Sequence, residues 1–346
     1  MMRRSWVLLI LMAAALALAL SPAAYAATKL HIGMPTPKPN VVHIPPSVAK
    51  EMGFFKEQGL DVKISTFRGG TRAHQALTAS GTDLDMADIP GPLLMSGIER
   101  GSGQKIFYSF AAKNEAILAV GAGIKTAADL KGKKLGVEGK FGYSHLGMLS
   151  VLQPAGITDD DVTYVRTFPP QRVSFLISGK VDAVLIHIEQ VAVAKAKTKG
   201  KVHELARIWK TQPHYFYAAF AAPASKVSSM RDAYVKATRA MIKATRFMYQ
   251  HKAKAVDIAV KYVRGGEKAR KNVSRTYDII TGEKIWSVNV GLPRKTLDWT
   301  NDLNVKFKRY KGGKPNVEKL VDFSIGRDAL KPLGVWGKDK GWNPDH

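Results

Sequence analysis

Two short segments place glycines and a hydroxyl residue directly before a predicted helix. They are Gly69-Gly70-Thr71 and Gly139 to Ser144, and Lys140 adds positive charge to the second. The first N–H groups of a helix lack helical partners and its N-terminus is partly positive, so such segments can hold an anion. Simple capping of the helices by Thr71 and Ser144 is the alternative. Both interpretations stay open, and the two segments would form one anion site if they face a common cleft.

Further candidate binding residues follow other predicted strands. Open α/β sheets bind ligands beyond the carboxyl ends of their strands. The candidates in these loops are Thr36, Pro37, Ile89, Pro90, His187 and Glu189, and those in the second segment are Gly142, Tyr143 and Ser144. Tyr215 belongs to a late aromatic strand and is a candidate for covering a pocket. For His187 and Tyr215 the competing interpretation is ordinary packing.

The sequence lacks the motifs of known catalytic and metal sites. It contains no G-x-S-x-G, P-loop or complete G-x-G-x-x-G motif, and its nine histidines show no H-x-x-x-H or H-E-x-x-H spacing. Asp83, Asp85 and Asp88 lack the ligand spacing of a calcium loop. The chain has no cysteine, which excludes thiol nucleophiles, disulfides and iron–sulfur clusters. We expect no catalytic residue, no metal and no cofactor.

The elements that must position these residues alternate between strand and helix. The predicted strands are Lys29–Gly33, Leu60–Thr66, Asp85–Asp88, Lys105–Ala111, Ala116–Val120, Lys134–Glu138, Val162–Val165, Asp182–Ile186 and Tyr215–Ala221. Helical spacing of apolar residues separates them and then dominates the last third, as in Tyr234, Ala237, Met241, Ala244 and Met248. This alternation predicts an α/β fold with parallel sheets.

An internal repeat suggests that two similar lobes face each other. Each copy reads as helix, glycine, strand, helix, glycine, strand, and 26 residues separate Gly59 from Asp85 and Gly156 from Asp182. No Pro/Gly/Ser-rich linker lies between the copies, and the chain near Ala111–Val120 and Tyr215–Ala221 is apolar and strand-like. We therefore expect two extended crossings that act as a hinge.

The first 26 residues have the three parts of a secretory signal peptide. Arg3 and Arg4 precede an apolar stretch from Trp6 to Leu20, and Ala24-Tyr25-Ala26 fits a cleavage site. The mature chain is predicted to begin at Ala27, after export to the periplasm. The predicted lobes then comprise residues 27–115 together with 221–346, and residues 116–220.

The mature chain is strongly basic. It carries 51 basic and 28 acidic residues, a net charge of +23. Nucleic acid, an anionic membrane surface and an acidic small molecule are the possible partners of such a charge. The basic residues are spread along the chain without a nucleic-acid-binding motif, and export removes the protein from nucleic acid, so we expect no nucleic-acid partner.

Several of these segments, taken in order, resemble the solute-binding proteins of ABC importers, in the branch of nitrate, sulfonate, taurine and thiamine-precursor binders. They are Ala49 to Val62, Ala76-Leu77 with Gly81 and Asp85, Ala128 to Val137, and Gly179 to Asp182. The resemblance covers about residues 29 to 225. It implies a type II periplasmic binding protein fold, in which two α/β lobes joined by a two-strand hinge close on a ligand.

The resemblance also implies a function without chemistry. The protein would be a monomer that captures a small solute, expected here to be an organic anion, and delivers it to an ABC permease in the inner membrane. The matching ligand positions are Thr36 and Pro37, Gly69 to Thr71, Ile89 and Pro90, Gly142 to Ser144, and His187 to Glu189. Two alternatives stay open: a fold-related thiamine-precursor enzyme, from which the absence of cysteine departs, and an exported protein that adheres to polyanions or membranes.

Overall fold

A computed structural model describes residues 26–337 of the protein. The predicted signal peptide lies outside the described residues except for Ala26. In chain order, the strands of the described part are β1 (Thr28–Met34), β2 (Leu60–Thr66), β3 (Met86–Pro90), β4 (Gln104–Tyr108), β5 (Ile117–Val120), β6 (Lys134–Val137), β7 (Thr163–Arg166), β8 (Ala183–Ile186), β9 (His203–Arg207) and β10 (Ala218–Pro223).

The strands form two sheets of five strands with equivalent topology. The first has the order β2-β1-β3-β10-β4 and the second the order β7-β6-β8-β5-β9. In the first sheet β1 pairs in parallel with β2 and β3, while β10 runs antiparallel to β3 and β4. In the second, β6 pairs in parallel with β7 and β8, and β5 takes the antiparallel position between β8 and β9. The predicted α/β fold with two similar sheets is confirmed. The sheets are mixed and not parallel as predicted, because β10 and β5 run antiparallel to both of their neighbours.

Helices connect and cover the sheets. They are α1 (Pro45–Glu51), α2 (Phe54–Glu57), α3 (Gly70–Thr78), α4 (Gly91–Glu99), α5 (Tyr143–Leu152), α6 (Arg172–Ile177), α7 (Ile188–Lys197), α8 (Ile208–Thr211), α9 (Ala224–Ser229), α10 (Arg231–Gln250), α11 (Lys252–Tyr262), α12 (Arg270–Gly282), α13 (Arg294–Lys306), α14 (Val317–Leu320) and α15 (Phe323–Leu330). The stripe predicted from Tyr234 to Met248 is buried along α10, which packs on α1 and α15. The apolar spacing of the last third therefore identified its longest helix correctly.

Two predicted strands differ from the structure by three residues at one end, and a third strand was not predicted. The strand predicted for Lys105–Ala111 ends at Tyr108, because the next N–H, that of Ser109, donates to the Val290 carbonyl outside the sheet. The strand predicted from Tyr215 begins only at Ala218, and the Phe216 N–H donates to the Thr300 hydroxyl of α13. The edge strand β9 was missed because its sequence, HELAR, is polar and half-exposed and lacks an apolar alternation.

The internal repeat extends to individual hydrogen bonds. Asp85 accepts the His31 N–H through its carboxylate at 2.8 Å, and the Asp85 N–H donates back to the His31 carbonyl. In the second sheet Asp182 makes the same two bonds with Lys134, the carboxylate bond again measuring 2.8 Å. Each aspartate thus fixes the start of one parallel strand, β3 or β8, against its neighbour. The repeat predicted from spacing alone is a repeated structural unit.

Two chain segments connect the sheets. The first runs from β4 to β5 and the second from β9 to β10, and they touch through a bridge between Lys113 and Phe216. The Tyr217 N–H also donates to the Ala112 carbonyl at 3.2 Å. Ala218 to Phe220, placed in the second lobe by the predicted limits, belong to a strand of the first sheet. Those limits, and the hinge, stay predictions.

The repeated aspartate gives a test of stability. We expect Asp182→Ala to lower the free energy of unfolding by about 1 kcal/mol, because the Lys134 N–H loses its charged acceptor. Asp160 is exposed in a turn, so Asp160→Ala should change the free energy by less than about 0.5 kcal/mol. Urea denaturation of the three proteins measures both values. Equal stability of the two variants would show that the repeated contact is not stabilising.

Candidate functional site

A cavity of about 320 Å³ lies between the two sheets. We call it cavity 1. The first sheet and its loops line it with Pro35, Thr36, His43, Arg68, Gly69, Gly70, Thr71, Arg72, Gln75, Pro90, Tyr217 and Ala218. The second sheet and its loops contribute Glu138, Tyr143, Arg166, Phe168, Pro169, Arg172 and His187. Most of these residues follow the carboxyl ends of parallel strands, which is where open α/β sheets bind ligands.

The N-terminus of α3 forms one wall of cavity 1. Gly69 precedes the helix with φ 115°, a conformation that favours glycine. A Cβ on Gly70 would lie 2.2 Å from Cδ of Pro90, so only glycine allows the helix to begin this close to β3. Thr71 makes no capping hydrogen bond. The Gly69 N–H donates to the Pro35 carbonyl at 2.8 Å, so the N–H groups available to a ligand are those of Gly70 and Thr71, at the positive end of a nine-residue helix.

Three arginines supply positive charge to the cavity from both sides. Arg68 and Arg72 flank the start of α3, and Arg166 ends β7, where its guanidinium lies 5.0 Å from the centre of the Phe168 ring. Within residues 26–337, none of the three forms an ion pair with a carboxylate. None of the three arginines is among the predicted binding residues, although Arg68 and Arg166 lie at the ends of strands, and that position could have identified them.

A fourth arginine is already neutralised. Arg172, at 4% exposure, forms an ion pair with Glu138 and donates to the Leu185 carbonyl at 3.3 Å. The Ser144 hydroxyl donates to the same carboxylate at 2.7 Å and accepts the Glu138 N–H. The function of Ser144 is therefore to hold Glu138 in place, since it does not cap α5.

Two histidines in different charge environments line the base of cavity 1. Burial lowers the pKa of His187, but the adjacent Glu115 carboxylate outweighs that effect, so the pKa is raised above its ordinary value. Burial, and then the positive charge of His187, lower the pKa of His43 well below its ordinary range. Nε2 of His43 and the Tyr217 hydroxyl form a hydrogen bond of 3.0 Å. The surroundings therefore favour the protonated form of His187 and the neutral form of His43.

Two further carboxyl groups near the base have raised pKa values. Burial raises the pKa of Asp88 to about 7; its Oδ2 is buried without a hydrogen-bond partner and lies 3.7 Å from Nε2 of His43. Burial also raises the pKa of Glu189 to about 7, against the opposing effect of His187. The base of the cavity therefore carries less negative charge than its composition suggests.

Seven of the predicted binding residues line cavity 1. They are Thr36, Gly69, Gly70, Thr71, Pro90, Tyr143 and His187. Each follows the carboxyl end of a parallel strand or begins the helix after it. The hydroxyl of Tyr143 donates to the Asn114 side chain at 2.7 Å, which fixes the ring beside the crossing segment.

The other predicted residues lie elsewhere. Lys140 and Gly142 line a neighbouring cavity, and the Lys140 ammonium lies 3.7 Å from Asp159. Ser144 is buried behind Glu138, and Ile89 is buried within β3. Tyr215 is also buried, 6.0 Å from the ring centre of Trp299, so packing is its observed role. Pro37 and Glu189 are not among the residues that line cavity 1.

Residues 40–255 match the model of the NMT1/THI5-like family. The chain belongs to this family. A relative in Brucella abortus (strain 2308), whose name describes it as a binding protein, is 27% identical over 240 residues, which are 69% of this chain and 73% of that one. The 4-amino-5-hydroxymethyl-2-methylpyrimidine phosphate synthase of Saccharomyces cerevisiae is 28% identical over 151 residues, 42% of each chain.

Solved structures show the same fold for this NMT1/THI5-like protein. A protein from Bordetella bronchiseptica RB50 superposes with a TM-score of 0.73 and 22% identity, covering 90% of this chain and 99% of that one. The alkanesulfonate-binding protein SsuA from Xanthomonas axonopodis pv. citri, bound to MOPS, superposes with a TM-score of 0.66 and 16% identity, covering 87% and 97%. The fold is that of the periplasmic binding proteins of ABC import systems, as the sequence resemblance implied.

Membrane-spanning helices and metal-binding clusters are both absent from the part of the chain that the structure describes. No helix within residues 26–337 combines the length and the apolar character needed to cross a membrane. In the same part of the chain, no group of three or more histidine and carboxylate side chains is arranged to hold a metal ion.

The raised pKa of Asp88 predicts how stability changes with pH. The folded protein keeps this proton up to about pH 7, whereas the unfolded chain releases it near 3.8, so the contribution of Asp88 to stability falls across that interval. Asn cannot ionise. We therefore expect Asp88→Asn to gain stability relative to the natural protein between pH 5 and pH 8, by on the order of 1–3 kcal/mol.

Urea denaturation at the two pH values measures this difference. Asp160→Asn, on the exposed turn, is the matched control and should show no change in its difference from the natural protein. If the difference between Asp88→Asn and the natural protein is the same at both pH values, Asp88 does not retain its proton in the folded state.

Proposed function

We propose that this protein is the periplasmic solute-binding component of an ABC importer. It captures a small organic anion, such as a sulfonate or carboxylate, in cavity 1 and delivers it to a permease in the inner membrane. In this proposal the signal peptide is removed after Ala26, and the mature protein acts as a monomer without catalysis.

The observation that carries the proposal is the unpaired positive charge of cavity 1. Arg68 and Arg72 come from the first sheet and Arg166 from the second, and none has a carboxylate partner among residues 26–337. Guanidinium groups bind carboxylates and sulfonates through charge-assisted hydrogen bonds. The N-terminus of α3 adds backbone N–H groups at the same wall. An anion would satisfy groups that the protein itself leaves without counterions.

The lining of cavity 1 favours an organic anion over a bare inorganic ion. Its volume of about 320 Å³ is several times that of an ion of four atoms. Apolar and aromatic surface accompanies the arginines, with Phe168 and Pro169 on one side and Tyr217 on the other. Such a lining gains free energy from an apolar body attached to the charged group.

Cleft closure is the proposed mechanism of capture. Because both sheets line cavity 1, a bound solute makes contacts in the closed state that an open state lacks. Only that difference in affinity can shift the population toward closure. The two crossing segments, bridged at Lys113 and Phe216, are the connection about which the lobes would turn. Closure would present the permease with a shape that depends on occupancy.

A thermal-shift screen of residues 27–346 tests the proposal. The panel contains sulfonates, carboxylates, nitrate and neutral pyrimidines. We expect one class of organic anion to stabilise the protein by about 2.7 kcal/mol at a hundredfold excess over Kd. The double variant Arg68→Gln/Arg166→Gln should weaken binding of that class at least about tenfold by calorimetry.

The double variant Arg264→Gln/Arg275→Gln is the matched control, because it removes the same two positive charges. Arg264 and Arg275 are exposed and do not line cavity 1, so their loss should leave affinity unchanged. Equal weakening by the control would show that net charge, as in a polyanion-adhering protein, explains the binding. Response to a neutral pyrimidine alone would contradict the anionic solute.

A further inference from the structure

A second cavity adjoins cavity 1. Cavity 2, of about 460 Å³, shares Thr71 and Glu138 with cavity 1. Four cationic side chains line it: Arg100, Lys140, Lys308 and Arg309. Glu138 lines it too, but its carboxylate is already paired with Arg172. Lys140 is paired with Asp159, so cavity 2 has three cationic side chains without a carboxylate partner among residues 26–337.

Arg309 is the buried cation of cavity 2. Its side chain is 6% exposed. Nη2 donates to the Ser96 hydroxyl at 2.9 Å, whereas Nη1 is buried without a hydrogen-bond partner. No carboxylate of residues 26–337 forms an ion pair with Arg309. A buried guanidinium without a counterion is costly, because the protein does not replace the hydration that the charge has lost.

Arg309 stays positively charged at neutral pH despite this environment. Burial lowers its pKa to about 10, and the neighbouring Arg100 contributes in the same direction. The Arg100 side chain donates two hydrogen bonds, of 3.0 and 2.7 Å, to the Arg309 carbonyl. These bonds hold the Arg100 guanidinium at the backbone of Arg309, and both side chains line cavity 2, where an anion would be stabilised by their charge.

A purely structural role does not account for the guanidinium. Arg309 ends the turn after α13 through its backbone, since its N–H donates to the Asn304 carbonyl at 2.9 Å. That bond needs no particular side chain. The Ser96 hydroxyl also donates to the Leu93 carbonyl, so it does not depend on Arg309 for a partner. Nη1 of Arg309 remains without a hydrogen-bond partner, in a residue that lines cavity 2.

The opposite wall adds a helix N-terminus. Gly139 to Gly142 line cavity 2 directly before α5, a helix of ten residues. Gly142 occupies the capping position but has no side chain to accept the first helical N–H groups. The partial positive charge of α5 therefore adds to that of the side chains.

We propose that cavity 2 is an anion-binding site that takes a carboxylate, sulfonate or phosphate group, with Arg309 as its central cation. The site does not depend on which solute occupies cavity 1. The anionic group has two possible sources. It is either a free anion or the second charged end of a solute whose first charged end lies in cavity 1.

Inorganic sulfate is the probe for this site. Calorimetric titration of residues 27–346 at constant ionic strength, with chloride as the balancing ion, should show sulfate binding. We expect Arg309→Met to weaken it at least about tenfold and Arg309→Lys to weaken it less. Arg264→Met, on an exposed surface, is the matched control and should bind sulfate as the natural protein does. Sulfate binding that Arg309→Met leaves unchanged would overturn the proposal.

A variant at the exposed Lys308 gives a second test, which does not depend on correct folding of the variants at the buried Arg309. Lys308 lines cavity 2 but is exposed, so Lys308→Gln should fold normally and weaken sulfate binding severalfold. The double variant Arg68→Gln/Arg166→Gln, which alters cavity 1 alone, should retain sulfate binding at Arg309. If Lys308→Gln binds sulfate fully while the cavity 1 variant does not, the anion belongs to cavity 1 and the proposal is wrong.

Solutes with one and two anionic groups distinguish the two sources. A solute with two anionic groups that spans both cavities should bind more weakly to Arg309→Met and to the cavity 1 variant. A solute with one anionic group should bind more weakly to the cavity 1 variant only. If Arg309→Met weakens the binding of sulfate but not of any organic anion, the group that binds in cavity 2 is a free anion. Sulfate binding at Arg309 without binding of any organic anion would contradict the proposed function but support this site.

Discussion

The ion pair between Glu138 and Arg172 lies where the two cavities meet, and it determines which cationic side chains of the cleft remain unpaired. Glu138 lines both cavities, yet its carboxylate is occupied by Arg172 and by the Ser144 hydroxyl. It therefore cannot neutralise the arginines around it. If Glu138 paired with Arg166 or Arg309 instead, the net charge of the cleft would be the same, but the unpaired guanidinium would be that of Arg172, which is 4% exposed. The pair therefore determines which arginines of the cleft are free to bind an anion.

The repeated strand–helix unit brings the cationic side chains and helix N-termini of both sheets to one cleft. Asp85 and Asp182 fix the same strand start in both sheets, so the loops that follow the parallel strands open toward a common cleft. One sheet contributes the N-terminus of α3 and the other that of α5. Binding energy can then depend on how the sheets are arranged, which is the property that capture by closure requires.

The sequence predicted the architecture better than the chemistry. Strand–helix alternation and the spacing of Gly59, Asp85, Gly156 and Asp182 indicated two similar sheets, because backbone requirements leave clear periodic patterns. The charged lining was largely missed. Arg68 and Arg166 belong to no motif, and Arg309 comes from the helical C-terminal third. Which side chains meet across a cleft depends on how distant segments pack, and local patterns do not record that. Tyr215 was predicted as a binding residue from its place in an aromatic segment, but its side chain is packed in the core.

Closure on an organic anion is the central claim, and a distance between the lobes tests it most directly. Thr78 and Ser174 are exposed on α3 and α6, helices whose N-terminal residues line cavity 1 from opposite sheets. Since the chain has no cysteine, Thr78→Cys/Ser174→Cys places spin labels at these two positions alone. Saturation with the organic anion found by the screen should shift the measured distribution to a shorter and narrower distance. An unchanged distribution with calorimetrically confirmed occupancy would contradict capture by closure.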